Sequence, residues 1–147
     1  MIALIQRVNH ATVEINQKSV GNIGKGILAL IGVQKQDDEL KALKLFKKII
    51  NYRIFADDQD KMNHSLLDIN GELLLVPQFT LAANTQKGAR PSFSSAALPE
   101  MGEKLFKYLV NIAGNDVPNV QTGIFGADMQ VSLLNDGNNP SASFLES

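Results

Sequence analysis

The sequence predicts an α+β fold, in one domain spanning residues 1–147, and two patterns indicate it. Most of the chain consists of short apolar or alternating segments typical of strands. Two longer segments instead space their apolar residues three and four positions apart, as amphipathic helices do. The length suits one compact domain and is too short for two ordinary ones. An arrangement of mostly strands with two inserted helices is typical of the α+β class.

The strand segments are recognised by β-branched and apolar residues, either alternating with polar ones or forming short continuous runs. They are residues 2–9, 11–16, 27–33, 73–76, 120–124 and 129–134. The run at 27–33 is apolar on both faces, which indicates a central, fully buried strand. The first two segments are predicted as separate strands, and the second ends at the polar turn 16–19.

The first predicted helix carries its apolar residues between lysines, with Asp37 or Asp38 as the N-cap. Its apolar positions are Leu40, Leu43, Phe46, Ile49 and Ile50. The second helix is predicted from Pro99 to Gly114. A polar stretch at 57–61 predicts an exposed turn, and a loop covers about 83–97.

Composition excludes several kinds of chemistry. The chain has no cysteine, so disulfides, thiolate nucleophiles and cysteine metal sites are absent. Its histidines, His10 and His64, are isolated and make a poor zinc site, so we expect neither metal nor cofactor. A net charge of −1 argues against nonspecific attachment to nucleic-acid backbone. No apolar run approaches the roughly 18 residues that span a bilayer, so we expect a soluble, cytoplasmic protein without a membrane partner.

Three residues near the middle of the chain are of the types that form a Ser-His-Asp catalytic triad. His64, Ser65 and Asp68 have the right types, but closeness in sequence says little about triad geometry. The alternative is a solvated loop histidine.

The segment 75–81 is the most informative for chemistry. A buried strand that ends in Gln78, Phe79 and Thr80 places polar side chains and backbone amides at its mouth. Thr80 can act as a hydroxyl donor or nucleophile, and amides near Phe79 can hold a developing oxyanion. The alternative is that Thr80 is a strand residue whose hydroxyl bonds to backbone.

Two later segments can bind a nucleotide. Lys87 and Arg90 lie on one loop and can grip phosphate, although such a loop is often only solvated. Phe125 and Met129 can line an apolar pocket or simply fill the core.

Taken together, these segments resemble the D-aminoacyl-tRNA deacylase family over nearly the whole chain. The matching segments are 6–8, 24–26, 51–55, 78–82, 87–93, 123–133 and 135–137. The resemblance implies a mixed, mostly antiparallel, barrel-like sheet. It also implies a homodimer with active sites at the subunit interface.

The resemblance further implies hydrolysis of the ester between tRNA and a D-amino acid, or glycine mischarged on tRNA-Ala. No cofactor is implied, because the 2′-hydroxyl of the tRNA 3′ end is thought to assist. Gln78, Phe79 and Thr80 would then surround the ester, and Phe125 and Met129 would help hold the terminal adenosine. A catalytically altered paralogue that binds RNA ends or proteins is the alternative.

The sequence departs from the family pattern at two places. Pro77 replaces the serine before the Gln-Phe-Thr motif and brings neither hydroxyl nor backbone N–H. In the family a cis Gly-Pro dipeptide, held by an arginine that Arg7 matches, enters the partner's site and obstructs L-amino acids. Here Asn138 and Asn139 separate Gly137 from Pro140. We therefore expect stereochemical selectivity to be lost more readily than hydrolysis.

Overall fold

The computed structural model describes residues 1–137 and 141–147, and in this part of the chain a mixed sheet packs against two helices. The strands are β1 Ile2–Ile15, β2 Lys18–Ile23, β3 Gly26–Gly32, β4 Phe55–Ala56, β5 Met62–His64, β6 Glu72–Pro77, β7 Val120–Thr122, β8 Gln130–Asn135 and β9 Ala142–Glu146. The helices are α1 Glu39–Asn51 and α2 Pro99–Asp116, and a 3₁₀ turn covers Phe79–Ala82. The predicted α+β class, with a nearly barrel-shaped sheet and two helices, is confirmed.

The strand order of the main sheet is β2-β1-β3-β6-β7, and β8 and β9 also pair with β1. The pairs β3–β6 and β6–β7 are parallel, whereas all pairs made by β1 are antiparallel. The strands β4 and β5 form a separate small hairpin around the predicted turn at 57–61. The parallel pair β3–β6 matters for function, because the carboxyl ends of both strands meet at one edge of the sheet.

The prediction of two strands within residues 2–16 is wrong, because β1 runs unbroken from Ile2 to Ile15. The pairing of β1 with β8 shifts register between Val8 and His10, as a β-bulge does. The extra residue keeps Val8 and Ala11 in the same buried cluster although they are three positions apart. The alternation that marks a strand is therefore interrupted at the bulge without the strand ending.

The strands β3 and β6 are buried on both faces, as predicted for the run at 27–33. Ile27 and Leu73 belong to the core between the sheet and the helices. Leu28 and Leu74 belong to a second core on the opposite face, which β8 covers with half-buried Val131. Consecutive residues of these strands therefore lie in different cores.

A close backbone contact fixes the spacing between β3 and β6. A Cβ atom at Gly26 would lie 1.9 Å from the backbone oxygen of Glu72. Only glycine fits there, because any side chain would push the two parallel strands apart.

The helices form where the periodicity predicts them, with small differences at their ends. Asp38 is the N-cap of α1, and its side chain accepts a hydrogen bond of 2.9 Å from the backbone N–H of Lys41. Asp37 instead forms a buried ion pair of 2.7 Å with the Met1 amino group. The helix α2 continues past Gly114 to Asp116, since Gly114 has an ordinary helical backbone and does not terminate the helix. In residues 1–137 and 141–147, neither helix has the length and apolarity needed to cross a bilayer.

Candidate active site

The carboxyl end of β6 carries the motif predicted to be catalytic, but in a turn and not in a strand. The strand ends at Pro77, and the Gln78 amide donates to the Ile31 carbonyl at 2.8 Å. The 3₁₀ turn follows, and its first hydrogen bond runs from the Leu81 amide to the Gln78 carbonyl at 3.3 Å. The amides of Phe79 and Thr80 precede that bond, so the turn itself leaves them available as donors.

The polar side chains of the motif bond to each other. Gln78 Nε2 donates to Thr80 Oγ1 at 2.5 Å, and Thr80 is exposed. The alternative that Thr80 is a strand residue bonded to backbone is therefore wrong. Its oxygen accepts from Gln78, which leaves the hydroxyl proton of Thr80 free to point towards a ligand.

Pro77 costs the sheet no hydrogen bond. Backbone amides alternate in direction along a strand, and the Gln78 amide points towards β3, so the nitrogen of Pro77 points towards β7. The ladder between β6 and β7 extends only to Leu75, which accepts from the Gly123 amide at 2.9 Å. A proline beyond the end of the ladder is tolerated. The ring of Pro77 instead lines a cavity.

An apolar cavity of about 520 Å³ lies directly beside this turn. The residues that line it are Lys35, Pro77, Phe79, Phe93, Ala96, Ala97, Leu98, Pro99, Phe125 and Gly126. Phe79 and Phe93 form a tilted ring pair with centroids 5.2 Å apart and an interplanar angle of 55°. Phe125 fits against α2 because Gly102 has no side chain, and a Cβ there would lie 3.1 Å from the ring. Flat aromatic walls of this kind suit a nucleobase.

The cavity can position a ligand, and the adjoining turn supplies backbone N–H donors. The cavity lining contains no pair of side chains that could act as general acid and general base. Among its described lining residues there is no histidine, aspartate or glutamate, and Lys35 alone carries a charge. Groups of three or more potential metal ligands are likewise absent from residues 1–137 and 141–147. Chemistry here would therefore use backbone amides and groups carried by the substrate.

The His64–Ser65–Asp68 set is a structural turn. The Ser65 amide donates to Asp68 Oδ2 at 2.8 Å, and the Asp68 amide donates to Ser65 Oγ at 3.2 Å. The amide and hydroxyl of Ser65 hold the pKa of Asp68 below its ordinary value of 3.8. The turn precedes β6, at the opposite end of that strand from Gln78. The triad hypothesis is therefore not supported, because Ser65 Oγ is buried and used as a cap.

Lys87 and Arg90 lie on an exposed loop whose base adjoins the cavity. The loop is closed by paired backbone hydrogen bonds of 2.6 and 2.9 Å between Asn84 and Ser92, next to Phe93. Neither cation lines the cavity in a single chain. Met129 does not line it either, because its side chain packs under Gly123 and against the second core.

Arg7 is a buried arginine that holds the segment ending at Gly137 in place. Its Nε and one terminal nitrogen donate to the Asp136 carbonyl at 2.9 and 2.7 Å, and the other terminal nitrogen donates to the Ile54 carbonyl. Gly137 follows in the left-handed region with φ +75°, and lines a small polar cavity of about 220 Å³ with Arg7. The residues predicted to displace the Gly-Pro dipeptide, Asn138 to Pro140, lie outside the described residues.

The Arg7 segment and the Gln78 turn lie at opposite ends of the sheet. Arg7 pairs with Ile27, and Ile27 pairs with Leu73 at the start of β6. Gln78 follows the end of β6, so the two positions are separated by roughly 16 Å along the strand direction alone. Within one chain these predicted site residues are not brought together.

Comparison with known proteins shows which enzymes this chain is similar to. The chain is 64% identical over 137 residues to the D-aminoacyl-tRNA deacylase of Pseudoalteromonas translucida (strain TAC 125), covering 93% of this chain and 94% of the relative. It is 56% identical over 147 residues to the D-aminoacyl-tRNA deacylase of Pseudomonas aeruginosa (strain LESB58), covering 100% of both. These relatives define a class of hydrolases acting on aminoacyl-tRNA.

Solved structures and a family profile agree. A structure named "c-Myc DNA Unwinding Element Binding Protein" matches with a TM-score of 0.93 and 35% identity, covering 100% of this chain and 99% of that one. A probable eukaryotic D-amino acid tRNA deacylase matches with a TM-score of 0.81 at 17% identity, covering 99% and 98%, and it shows the fold alone. The profile of the D-Tyr-tRNA(Tyr) deacylase family matches residues 4–141. The chain belongs to this family, and the resemblance found in the sequence is confirmed.

Sequence reasoning missed Lys35 as a site residue. It lies three residues past the end of β3, beside the turn that follows β6, and the carboxyl ends of neighbouring parallel strands are where α/β sheets commonly bind ligands. The sequence does show that Lys35 follows the buried strand at 27–33. This position indicates a site only once β3 and β6 are known to be parallel neighbours.

Proposed function

We propose that this protein hydrolyses the ester bond of D-aminoacyl-tRNA and releases the free amino acid and tRNA. One observation carries the proposal beyond family membership. The apolar, aromatic cavity lies directly beside a turn that offers two backbone amides and the linked side chains of Gln78 and Thr80. A nucleobase in the cavity would bring an ester on its ribose to that turn.

Each part of the turn has a role in this proposal. Phe79 and Phe125 hold the terminal adenosine by its faces, while Gln78 and Thr80 flank the ester. The amides of Phe79 and Thr80 stabilise the oxyanion that forms when the carbonyl is attacked. Removing a single donor of this kind from other enzymes costs about 3–4 kcal/mol of transition-state stabilisation.

Under this proposal the 2′-hydroxyl of the terminal ribose assists hydrolysis in place of a side-chain base. The described lining of the cavity has no carboxylate or imidazole to act as a base. This hydroxyl is on the same ribose that carries the ester, so it is already intramolecular in the free substrate, and the protein contributes only its orientation relative to the carbonyl. Glycine mischarged on tRNA-Ala is a second substrate under this proposal, since the turn itself contacts only groups common to all aminoacyl esters.

The active unit is a homodimer under this proposal. Arg7 and Gly137 lie at the opposite end of the sheet from Gln78, so they can join a site only if a second copy supplies them. Exposed apolar side chains on β8 and β9, Leu134 at 50% and Phe144 at 54% exposure, support such an association. Pro140 would then act from the partner, and Lys87 and Arg90 keep their predicted substrate-binding roles, whereas Met129 supports the second core from beneath Gly123. A protein acting on aminoacyl-tRNA would work in the cytoplasm.

The test measures deacylation of D-tyrosyl-tRNA, L-tyrosyl-tRNA and glycyl-tRNA by purified protein whose dimeric state is confirmed by sedimentation. We expect turnover of the D-substrate and glycyl-tRNA, with measurable turnover of the L-substrate because of the Asn138–Asn139 insertion. Replacing the 2′-hydroxyl by hydrogen should reduce turnover more than Thr80→Ala does. A folded dimer that cleaves none of the three substrates would refute the proposal.

A second candidate function is binding of the tRNA 3′ end without hydrolysis. It is favoured by the position of Pro77, where the family pattern places a serine beside the ester. A solved relative at 35% identity is also named for binding DNA, which is not a hydrolytic role. Affinity for the tRNA 3′ end without cleavage of any ester would establish this alternative.

A further inference from the structure

Lys35 holds a fixed place at the rim of the aromatic cavity. Its backbone N–H donates to the Ser95 carbonyl at 3.1 Å, and the neighbouring Gln34 forms a β-bridge with Ala96. The Ala97 amide donates in turn to the Val33 carbonyl at 2.9 Å. The start of the Lys35 side chain is therefore held against the same segment that forms one cavity wall.

The ammonium group of Lys35 has no anionic partner in residues 1–137 and 141–147. Its side chain is exposed and forms neither an ion pair nor a hydrogen bond there. The two carboxylates that follow it in sequence are otherwise engaged. Asp37 binds the Met1 amino group and, at 2.6 Å, the Gln34 amide, while Asp38 caps α1. The cavity thus has one uncompensated positive charge at an otherwise apolar surface.

We infer that Lys35 binds the phosphodiester on the 5′ side of the terminal adenosine, and so serves as a substrate-binding residue of the proposed deacylase. The inference rests on the proposed function. If the base lies on the aromatic walls and the ester faces Gln78, the nearest anion of the substrate is the phosphate that joins this nucleoside to the next. A lysine presents a compact charge on a flexible stem, which suits a single phosphate oxygen without demanding one geometry.

The contact is made equally in the ground state and the transition state, so it acts on binding. Loss of such an interaction raises KM and leaves kcat nearly unchanged. A lysine that instead stabilised the reacting carbonyl would lower kcat. This difference separates a phosphate contact from a catalytic role.

The experiment is a cycle that removes the lysine and the phosphate separately and together. The substrates are 2′(3′)-O-(D-tyrosyl)adenosine and the same compound carrying a 5′-methyl phosphate, which mimics the diester. The proteins are wild type, Lys35→Ala, Lys35→Arg, the control Lys44→Ala, and the loop variants Lys87→Ala and Arg90→Ala. Lys44 is an exposed lysine on α1 that lines none of the described cavities, so its variant controls for loss of one charge.

We expect wild type to prefer the phosphorylated substrate by about twofold to fivefold in kcat/KM at low salt, the range of a contact between exposed charges. Lys35→Ala should abolish this preference through KM, while Lys35→Arg and Lys44→Ala should keep most of it. With whole D-aminoacyl-tRNA, Lys35→Ala should also flatten the salt dependence of log(kcat/KM), with a slope change of roughly 0.7, as expected for one phosphate contact.

Several results would overturn the inference. An unchanged phosphate preference in Lys35→Ala, or a preference that disappears in Lys87→Ala or Arg90→Ala instead, would assign the contact elsewhere. A fall in kcat with constant KM would make Lys35 catalytic. Failure of the proposed function is recognised separately, because adenosine and adenosine 5′-methyl phosphate can be titrated by NMR without any hydrolysis. If wild type cleaves no ester but still binds the phosphorylated nucleoside more tightly through Lys35, only the hydrolytic proposal falls.

Discussion

Replacing Phe79 by alanine should damage substrate binding far more than folding. The side chain is 58% exposed, so little of it contributes to the core. Its main packing partner is the Phe93 ring at 5.2 Å, and a tilted aromatic pair of this kind contributes about 0.5–1.5 kcal/mol. We therefore expect Phe79→Ala to lower the free energy of unfolding by about 1–2 kcal/mol, including the small buried area. A domain of this size tolerates such a loss.

The effect on activity follows from what remains in the variant. The backbone amide at position 79 is retained, so the proposed oxyanion contact survives and kcat should fall little. The aromatic wall is lost, and stacking of a base on an aromatic side chain is worth about 1–3 kcal/mol. That corresponds to a decrease of about 5- to 150-fold in kcat/KM, expressed mainly as a higher KM.

The assay is the initial rate of D-tyrosyl-tRNA deacylation over a range of substrate concentrations. Tyr52→Ala is the matched control, because Tyr52 is an aromatic residue with 40% exposure that lines none of the described cavities. A Phe79→Ala protein that folds and keeps kcat/KM within about twofold of the control would show that no base stacks on this ring.

Three further predictions concern stability. Asp37→Ala should lower the free energy of unfolding by about 3–5 kcal/mol, because it leaves the Met1 amino group buried without its counter-ion. Gly26→Ala should cost about 3 kcal/mol or more through its backbone clash, whereas Gly114→Ala, with no atom within 4 Å, should stabilise α2 by about 0.5–1 kcal/mol. Asp68 has a lowered pKa in the folded state, so it stabilises the fold above its unfolded pKa, and this contribution is lost as pH falls through the folded pKa. Asp68→Asn should therefore lose less stability than wild type on acidification below about pH 4.

Urea denaturation monitored by circular dichroism measures all three effects. Asp38→Ala is the control for Asp37→Ala, since loss of an exposed N-cap should cost only about 1 kcal/mol. Equal losses in those two variants would contradict a special role for the buried ion pair. The glycine reasoning fails if both alanine variants change stability in the same direction. For Asp68, an NMR titration midpoint at or above 3.8 would contradict the cap contacts with Ser65.

The sequence predicts elements well where one periodicity holds along a whole segment. The helices follow from apolar residues at helical spacing, and the strand at 27–33 from a run buried on both faces. Prediction fails at β1, because a bulge between Val8 and His10 interrupts the alternation while the backbone continues. The bulge depends on pairing with β8, more than a hundred residues later, which local pattern does not contain.

The site is predictable in its residues but not in its geometry. The motif Gln78 to Thr80 is identified from sequence, yet its 3₁₀ conformation and the Gln78–Thr80 hydrogen bond are not. Lys35 is missed because its relevance depends on the parallel pairing of β3 with β6. Local pattern also cannot show that Arg7 and Gln78 lie at opposite ends of one sheet.

The double-sided burial of β3 and β6 has a consequence for how this fold can evolve. Within these strands every substitution disturbs one of two cores, so sequence drift there is penalised by lost stability. Just past the strand ends lie Lys35 after β3 and Phe79 after β6, both of them exposed and both lining the aromatic cavity. Variation that the fold tolerates most easily is therefore directed to residues that line this cavity, and the cavity can change without loss of the scaffold.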